Sequence, residues 1–260
     1  MLISDIRSQL RLTMPLHVLF LIAVAGFYAG AQNALAGGGS FITFPVLLLA
    51  GLNPLAANMT STIALFPSQI TSAFAGRRLV DNVGPLSFGQ MFFLSVLGGV
   101  LGAILLLVTP PAFFARLVPW LVLFATSVFA WGSFRRKPVQ AAKGMPAPVL
   151  AAIQGCIAIY GGYFGGGIGF LMLAALTMAG QQVRAAAATK NALAMAMNAS
   201  AVAIFAFSGQ VNWLAALVLG IGGIAGGWCG AWLLHWLPER MLRFFVILVG
   251  IALTIWMFMR

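Results

Sequence analysis

The chain has 260 residues, of which 62% are hydrophobic and 7% charged, with a mean hydropathy of +1.04; soluble domains carry about 25% charged residues, so a water-soluble globule is excluded. Lys and Arg number 14 against three acids, Asp5, Asp81 and Glu239, for a formal net charge of +11. The acids, two histidines and two cysteines are too scattered for a proton relay, a metal centre or a hydrolytic set, so neither an enzyme nor a cofactor is expected.

Taken in chain order, Arg7 and Arg11 precede an apolar run that reaches Ala29-Gly30-Ala31 and imitates a cleaved signal peptide. Retention is expected, because the run continues into Gly37-Gly38-Gly39, a cluster that recurs later. The first half reads as apolar segments 16–36, 41–52, 59–75, 86–108 and 113–134. A polar stretch follows, carrying Arg135, Arg136, Lys137, Pro138 and Lys143. The second half reads as 149–164, 170–178, 185–207, 213–237 and 241–259. His17 and His235 fall near segment ends and read as interfacial side chains. Cys156 and Cys229 sit in long apolar runs and read as packing residues. The cations are spread through short loops, a pattern of cytoplasmic membrane loops rather than of a nucleic-acid surface.

Sliding the sequence on itself by 129 residues places Gly37-Gly38-Gly39-Ser40-Phe41 on Gly166-Gly167-Ile168-Gly169-Phe170, Gly51 on Gly180, and Thr60 on Thr189. With a slightly different shift, Gly98 and Gly102 match Gly222 and Gly226. The expected fold is therefore all-α: a polytopic membrane protein of two homologous repeats, each of about four spanning helices plus one short broken or re-entrant segment. Its parts are a first membrane repeat (1–134), a basic linker loop (135–147) and a second repeat (148–260). A dozen residues cover about 18 Å of a core about 30 Å thick, so the short segments must be half-helices or re-entrant. Irregular backbone at membrane depth persists only where protein or a watery cavity satisfies it, which points to a central site at the two glycine breaks. The other recurring spacing, Gly98 and Gly102 with Gly222 and Gly226, reads as close helix packing.

On the 59–75 segment, helical spacing puts Asn58, Ser61, Thr62, Gln69, Ser72 and Gly76 on one face, with Ser68 at its edge. The 129-residue shift carries Ser61, Thr62 and Gln69 onto Lys190, Asn191 and Asn198. Two polar helix faces at equivalent places are expected to line one cavity. Lys190 has no acid nearby in sequence, so a substrate anion would compensate it, helped by helix N-termini at the glycine breaks and near Asn58 and Ala185. Snorkelling of Lys190 to the headgroups is the competing reading. The candidate substrate-binding residues are Gly37, Gly38, Gly39, Asn58, Ser61, Thr62, Gln69, Gly166, Gly167, Lys190, Asn191 and Asn198.

In the Gly37–Gly39 segment with Pro45 and Gly51, the run Ala57-Asn58-Met59-Thr60-Ser61-Thr62, and their echo from Gly165 to Asn198, the chain resembles the TauE/SafE family of sulfite and organosulfonate exporter-like permeases. The resemblance covers nearly the whole chain. It implies a multi-pass transporter of the inner (plasma) membrane for sulfite, sulfoacetate or related small organic anions, working by alternating access. Its partners would be that anion and the lipid bilayer, with self-association left open. An anion channel and a non-transporting accessory subunit are the alternatives. Treating the short segments as re-entrant gives eight spans and groups Arg7, Arg11, Arg77, Arg78, the linker cations and Arg260 on the cytoplasmic side. Counting them as crossings gives five elements per half and inverts one half relative to the other.

Overall fold

The structure is a computed structural model and describes residues 14–35, 38–134, 145–233 and 239–259. Among these residues it contains ten α-helices: α1 (Leu16–Leu35), α2 (Ser40–Leu49), α3 (Pro54–Gly76), α4 (Phe88–Val108), α5 (Pro111–Phe134), α6 (Ala147–Tyr163), α7 (Ile168–Met178), α8 (Val183–Phe205), α9 (Trp213–Leu233) and α10 (Glu239–Met259). Their limits follow the apolar segments read from the sequence to within a few residues. The main exception is α3, which begins at Pro54, five residues before its apolar run: Pro54 occupies the first turn and the Asn53 side chain accepts the Ala56 N–H at 2.9 Å. Residues 1–13, Ala36, Gly37, residues 135–144 (most of the expected linker) and residues 234–238 with His235 lie outside the described residues.

Three helices, α1, α4 and α5, are by themselves long and apolar enough to cross a membrane. Large apolar side chains cover the outer surface, among them Phe20 (71% exposed), Leu217 (62%) and Val108 (69%). Water would not support such a coat; lipid does, and the chain is a membrane protein. Cys156 belongs to this outward face, so its expected packing role is corrected: at its position in α6 the thiol points away from the core.

The helix breaks have a local cause. Gly38 (φ +88°) precedes α2, and Gly165 (φ +79°) and Gly167 (φ +77°) precede α7. The turns that end α2 and α7 are made by Gly51 (φ +93°) and Gly180 (φ +98°). At each turn the backbone hydrogen bonds repeat, Leu52 N–H to Leu47 O and Gln181 N–H to Leu176 O, both 3.1 Å. A Cβ on Gly51 or Gly180 would meet nothing within 4 Å, so only the left-handed backbone opposes a side chain there. Gly51→Ala and Gly180→Ala are each expected to cost about 1–2 kcal/mol, read as matching drops in thermal midpoint.

Helix directions follow from contacts. Along α1 and α9, Gly26 faces Leu219 and Gly30 faces Gly223, so these helices run parallel. Helices α4 and α6 are also parallel: the Gln154 side chain donates to Ser95 Oγ at 2.8 Å, Gly98 faces Ala158, and Gly102 faces Tyr163. Helices α3 and α8 are antiparallel, because Met59 meets Ser208, Gln69 meets Asn198, and Gly76 meets Ala188. Helices α5 and α10 are antiparallel too, with Trp120 against Phe258 and Thr126 against Gly250. Both parallel pairs are glycine-lined, which lets backbones touch where no hydrophobic effect drives helices together in lipid.

Candidate functional site

A cavity of about 90 Å³ lies where α2, α3, α7 and α8 meet, lined also by Val122 of α5 and Leu253 of α10. Phe129 buttresses it from α5, packing edge-on against Phe41 (centroids 5.6 Å apart) at the start of α2 and Phe170 (4.3 Å) at the start of α7. The two glycine breaks are thus anchored on one ring.

The first break is fixed by Asn33, whose Oδ1 accepts the Gly39 N–H at 2.8 Å. Gly38 and Ser40 line the cavity, whereas Gly39 lies behind it, where a Cβ would fall 2.8 Å from Ala29 O. Gly37 lies outside the described residues. At the second break the Tyr160 hydroxyl donates to Gly166 O at 2.7 Å. Gly165, Gly166 and Gly169 line the cavity, and Gly167 instead packs on Ala125. The N–H groups of Gly166, Ile168 and Gly169 meet no acceptor among the described residues, as befits the free first turn of a helix. The expectation that helix starts near Asn58 and Ala185 would also aim at the site is corrected. Helix α3 starts at Pro54 and α8 at Val183, so the cavity meets their sides rather than their ends.

Helix α3 presents Asn58, Ser61, Thr62, Gln69 and Ser72 to the cavity, and α8 presents Lys190, Asn191 and Asn198. Asn58 Nδ2 donates to Tyr163 O at 3.0 Å, which fixes its amide and leaves Oδ1 as an acceptor. Ser61 Oγ shares a hydrogen bond with Thr43 Oγ1, and Thr62 bonds back to Asn58 O at 2.9 Å. Asn198 Nδ2 donates to Gln69 Oε1 at 2.7 Å, joining two residues 129 positions apart. Ser68, expected at the edge of this face, is buried and donates to Leu65 O instead. Gln69→Ala and Asn198→Ala are expected to couple by about 0.5–1.5 kcal/mol in a double-mutant cycle read by thermal unfolding.

Lys190 is 8% exposed and reaches the cavity rather than the protein surface, so it does not snorkel. It makes no hydrogen bond or ion pair within the described residues, and none of the lining residues is acidic. A buried ammonium without a counter-charge is costly. The cavity therefore combines one cation uncompensated among the described residues, backbone N–H groups with no acceptor among them, and amides and hydroxyls, against walls of Phe41, Phe44, Leu65 and Phe164. Such a set can replace the water shell of a small oxyanion.

Residues not singled out from sequence include Asn33, Ser40 and Phe164. Asn33 carried a readable signal, an amide in an apolar span just before a glycine break. Phe164 carried none, being one phenylalanine among 21.

The sulfite exporter TauE/SafE family model matches residues 22–257. The probable membrane transporter protein ORF9 of Sinorhizobium is 31% identical over 93% of both chains. A probable membrane transporter protein of Haemophilus influenzae is 28% identical over 92% of this chain and 94% of its own. The probable membrane transporter protein YfcA of Escherichia coli is 26% identical, over 92% and 88% respectively. With a buried lysine facing a cavity of mixed polar and apolar walls inside a lipid-coated bundle, and with these matches running nearly end to end, the chain belongs to the TauE/SafE family of membrane transporters.

Proposed function

We propose that the protein is a multi-pass carrier of the inner membrane that exports small sulfur-containing or organic anions, such as sulfite, sulfoacetate or related sulfonates, by alternating access. The observation that carries this reading is Lys190, buried at the cavity with no counter-charge among the described residues. An anion would supply that charge. Lys190, Asn191, Ser61, Thr62, Gln69, Asn198 and the Gly38 and Gly166 backbone would line its path and hold it in turn. An inside-negative potential drives a monovalent anion outward by about 2.3 kcal/mol per 100 mV, so export needs no proton-carrying carboxylate in the site.

The division into two repeats belongs to the same proposal. Helices α3 and α8 begin and end 129 residues apart, as do the left-handed glycines Gly38 and Gly167, and Gly51 and Gly180. The packing partners also survive exchange of the halves: α1 with α9 becomes α6 with α4, and α3 with α9 becomes α8 with α4. Two similar bundles around a shared cavity are what rocking of one against the other requires.

Reconstitution tests it. Purified protein in proteoliposomes should move sulfite or a sulfonate with saturable kinetics, faster under a potential that favours anion exit from the compartment where it starts. Flux of none of these anions, or flux blind to potential, contradicts the proposal.

A further inference from the structure

The helix directions say how the two halves are related. A same-orientation repeat would make equivalent helices parallel, yet the equivalent pairs α3 and α8, and α5 and α10, are antiparallel. The halves are inverted, and Gln69 and Asn198, equivalent residues that touch each other, mark the pseudo-two-fold axis. The eight-span grouping of cations then cannot hold, because the loops that follow α3 and α8 lie on opposite faces. One face holds the end of α3 and the start of α8, tied by Gln181 to Asp81 and Asn82. It also holds the start of α4 and, through the parallel pairing, the start of α6. The other face holds the start of α3 and the turn after α8, where the Asn212 N–H meets Thr60 Oγ1 at 3.1 Å.

Charge orients the bundle. Exposed Arg77, Arg78 and Arg184 lie on the first face. Helix α10 starts there with Arg240 and Arg243 in its first turns. On the second face the described residues offer Arg116. Cations collect on cytoplasmic loops, so the first face is cytoplasmic. Helix α8 enters from it, and at about 1.5 Å per residue Lys190 lies about 12 Å along α8 on the cytoplasmic side of Asn198. Ser61 lies as far along α3 from Gln69, on the outer side.

We infer that the cavity has two inversion-related arms of unequal chemistry: a cationic arm at Lys190 and Asn191 that takes the anion from the cytoplasm, and a neutral arm at Ser61 and Thr62 from which it leaves. This rests on the transport reading above, and deepens it by giving the site a direction.

The first test does not depend on transport. In a Cys156→Ser, Cys229→Ser background, Asn82→Cys should react with an impermeant maleimide only from the cytoplasmic side and Gln210→Cys only from outside. Labelling of both from one side overturns the inference. The second uses oriented vesicles: Lys190→Gln should raise the half-saturation concentration for sulfite at least tenfold when it is offered to the cytoplasmic face and less than twofold at the outer face, with Lys190→Arg retaining most of the cytoplasmic-side affinity. Equal weakening at both faces overturns the two-arm assignment. Complete absence of sulfite and sulfonate flux from wild-type protein would instead count against the transport reading, with the labelling result still deciding the inversion.

Discussion

Replacing Lys190 with Met is expected to lower anion transport about 10- to 100-fold and, in the same protein without ligand, to raise the thermal midpoint. Both effects follow from one geometry. The ammonium is 8% exposed and has no acid among the described residues around it. A charge-assisted hydrogen bond to a bound oxyanion contributes about 1.5–3 kcal/mol, which sets the loss of affinity. Removing an uncompensated buried charge relieves a desolvation cost of at least similar size, which sets the gain in stability. Met keeps the length of the side chain and its contact with the cavity wall. Flux assays and a melting curve on one purified variant check the pair. A purely structural lysine would give the opposite sign in the melt, since its loss would remove a stabilising contact.

The second large effect lies away from the cavity. Gly226→Leu in α9 is expected to abolish folded protein, and Gly102→Leu in α4 to do nearly the same. A Cβ on Gly226 would overlap Phe27 O of α1, and one on Gly102 would overlap Ile159 O of α6. These are backbone atoms, so no side chain can turn aside. Overpacking costs about 1–3 kcal/mol where neighbours adjust; here whole helices would have to separate, losing the close contact that holds α1 to α9 and α4 to α6. Gly155→Ala is the control. Nothing lies within 4 Å of its Cβ, and removing a glycine from a helix interior should stabilise by up to about 1 kcal/mol. Yield of monodisperse protein in detergent and its thermal midpoint separate the three.

The sequence carried the helix limits and the polar faces because both depend on local periodicity and on glycine. Asn58, Ser61, Thr62 and Gln69 recur at helical spacing, and a left-handed turn at Gly38, Gly51, Gly167 or Gly180 is cheap only for glycine. Lys190 could be flagged by its missing acid, but its direction could not be read. A lysine six residues from Arg184 can extend to the headgroups or inward, and the packing of α8 against α3 decides which. Asn33 and Phe164 enter the site through the fold of the breaks rather than through any spacing. Helix direction was the least legible feature. A hydrophobic run has the same composition read upward or downward, so the antiparallel crossing of α3 and α8 needed pairwise contacts such as Gln69 with Asn198 and Gly76 with Ala188. The positions of Gly39 and Gly167, one step behind the cavity wall, were likewise beyond the motif: adjacent glycines in one turn face different ways.

The most direct measurement is an experimental structure of the protein soaked with selenite, an anomalously scattering stand-in for sulfite. The account predicts an anomalous peak inside the cavity between α3 and α8, within hydrogen-bonding distance of Lys190 Nζ and absent from that place in Lys190→Met at the same concentration. A protein that transports sulfite while the cavity stays empty, with selenite bound only elsewhere, would contradict it.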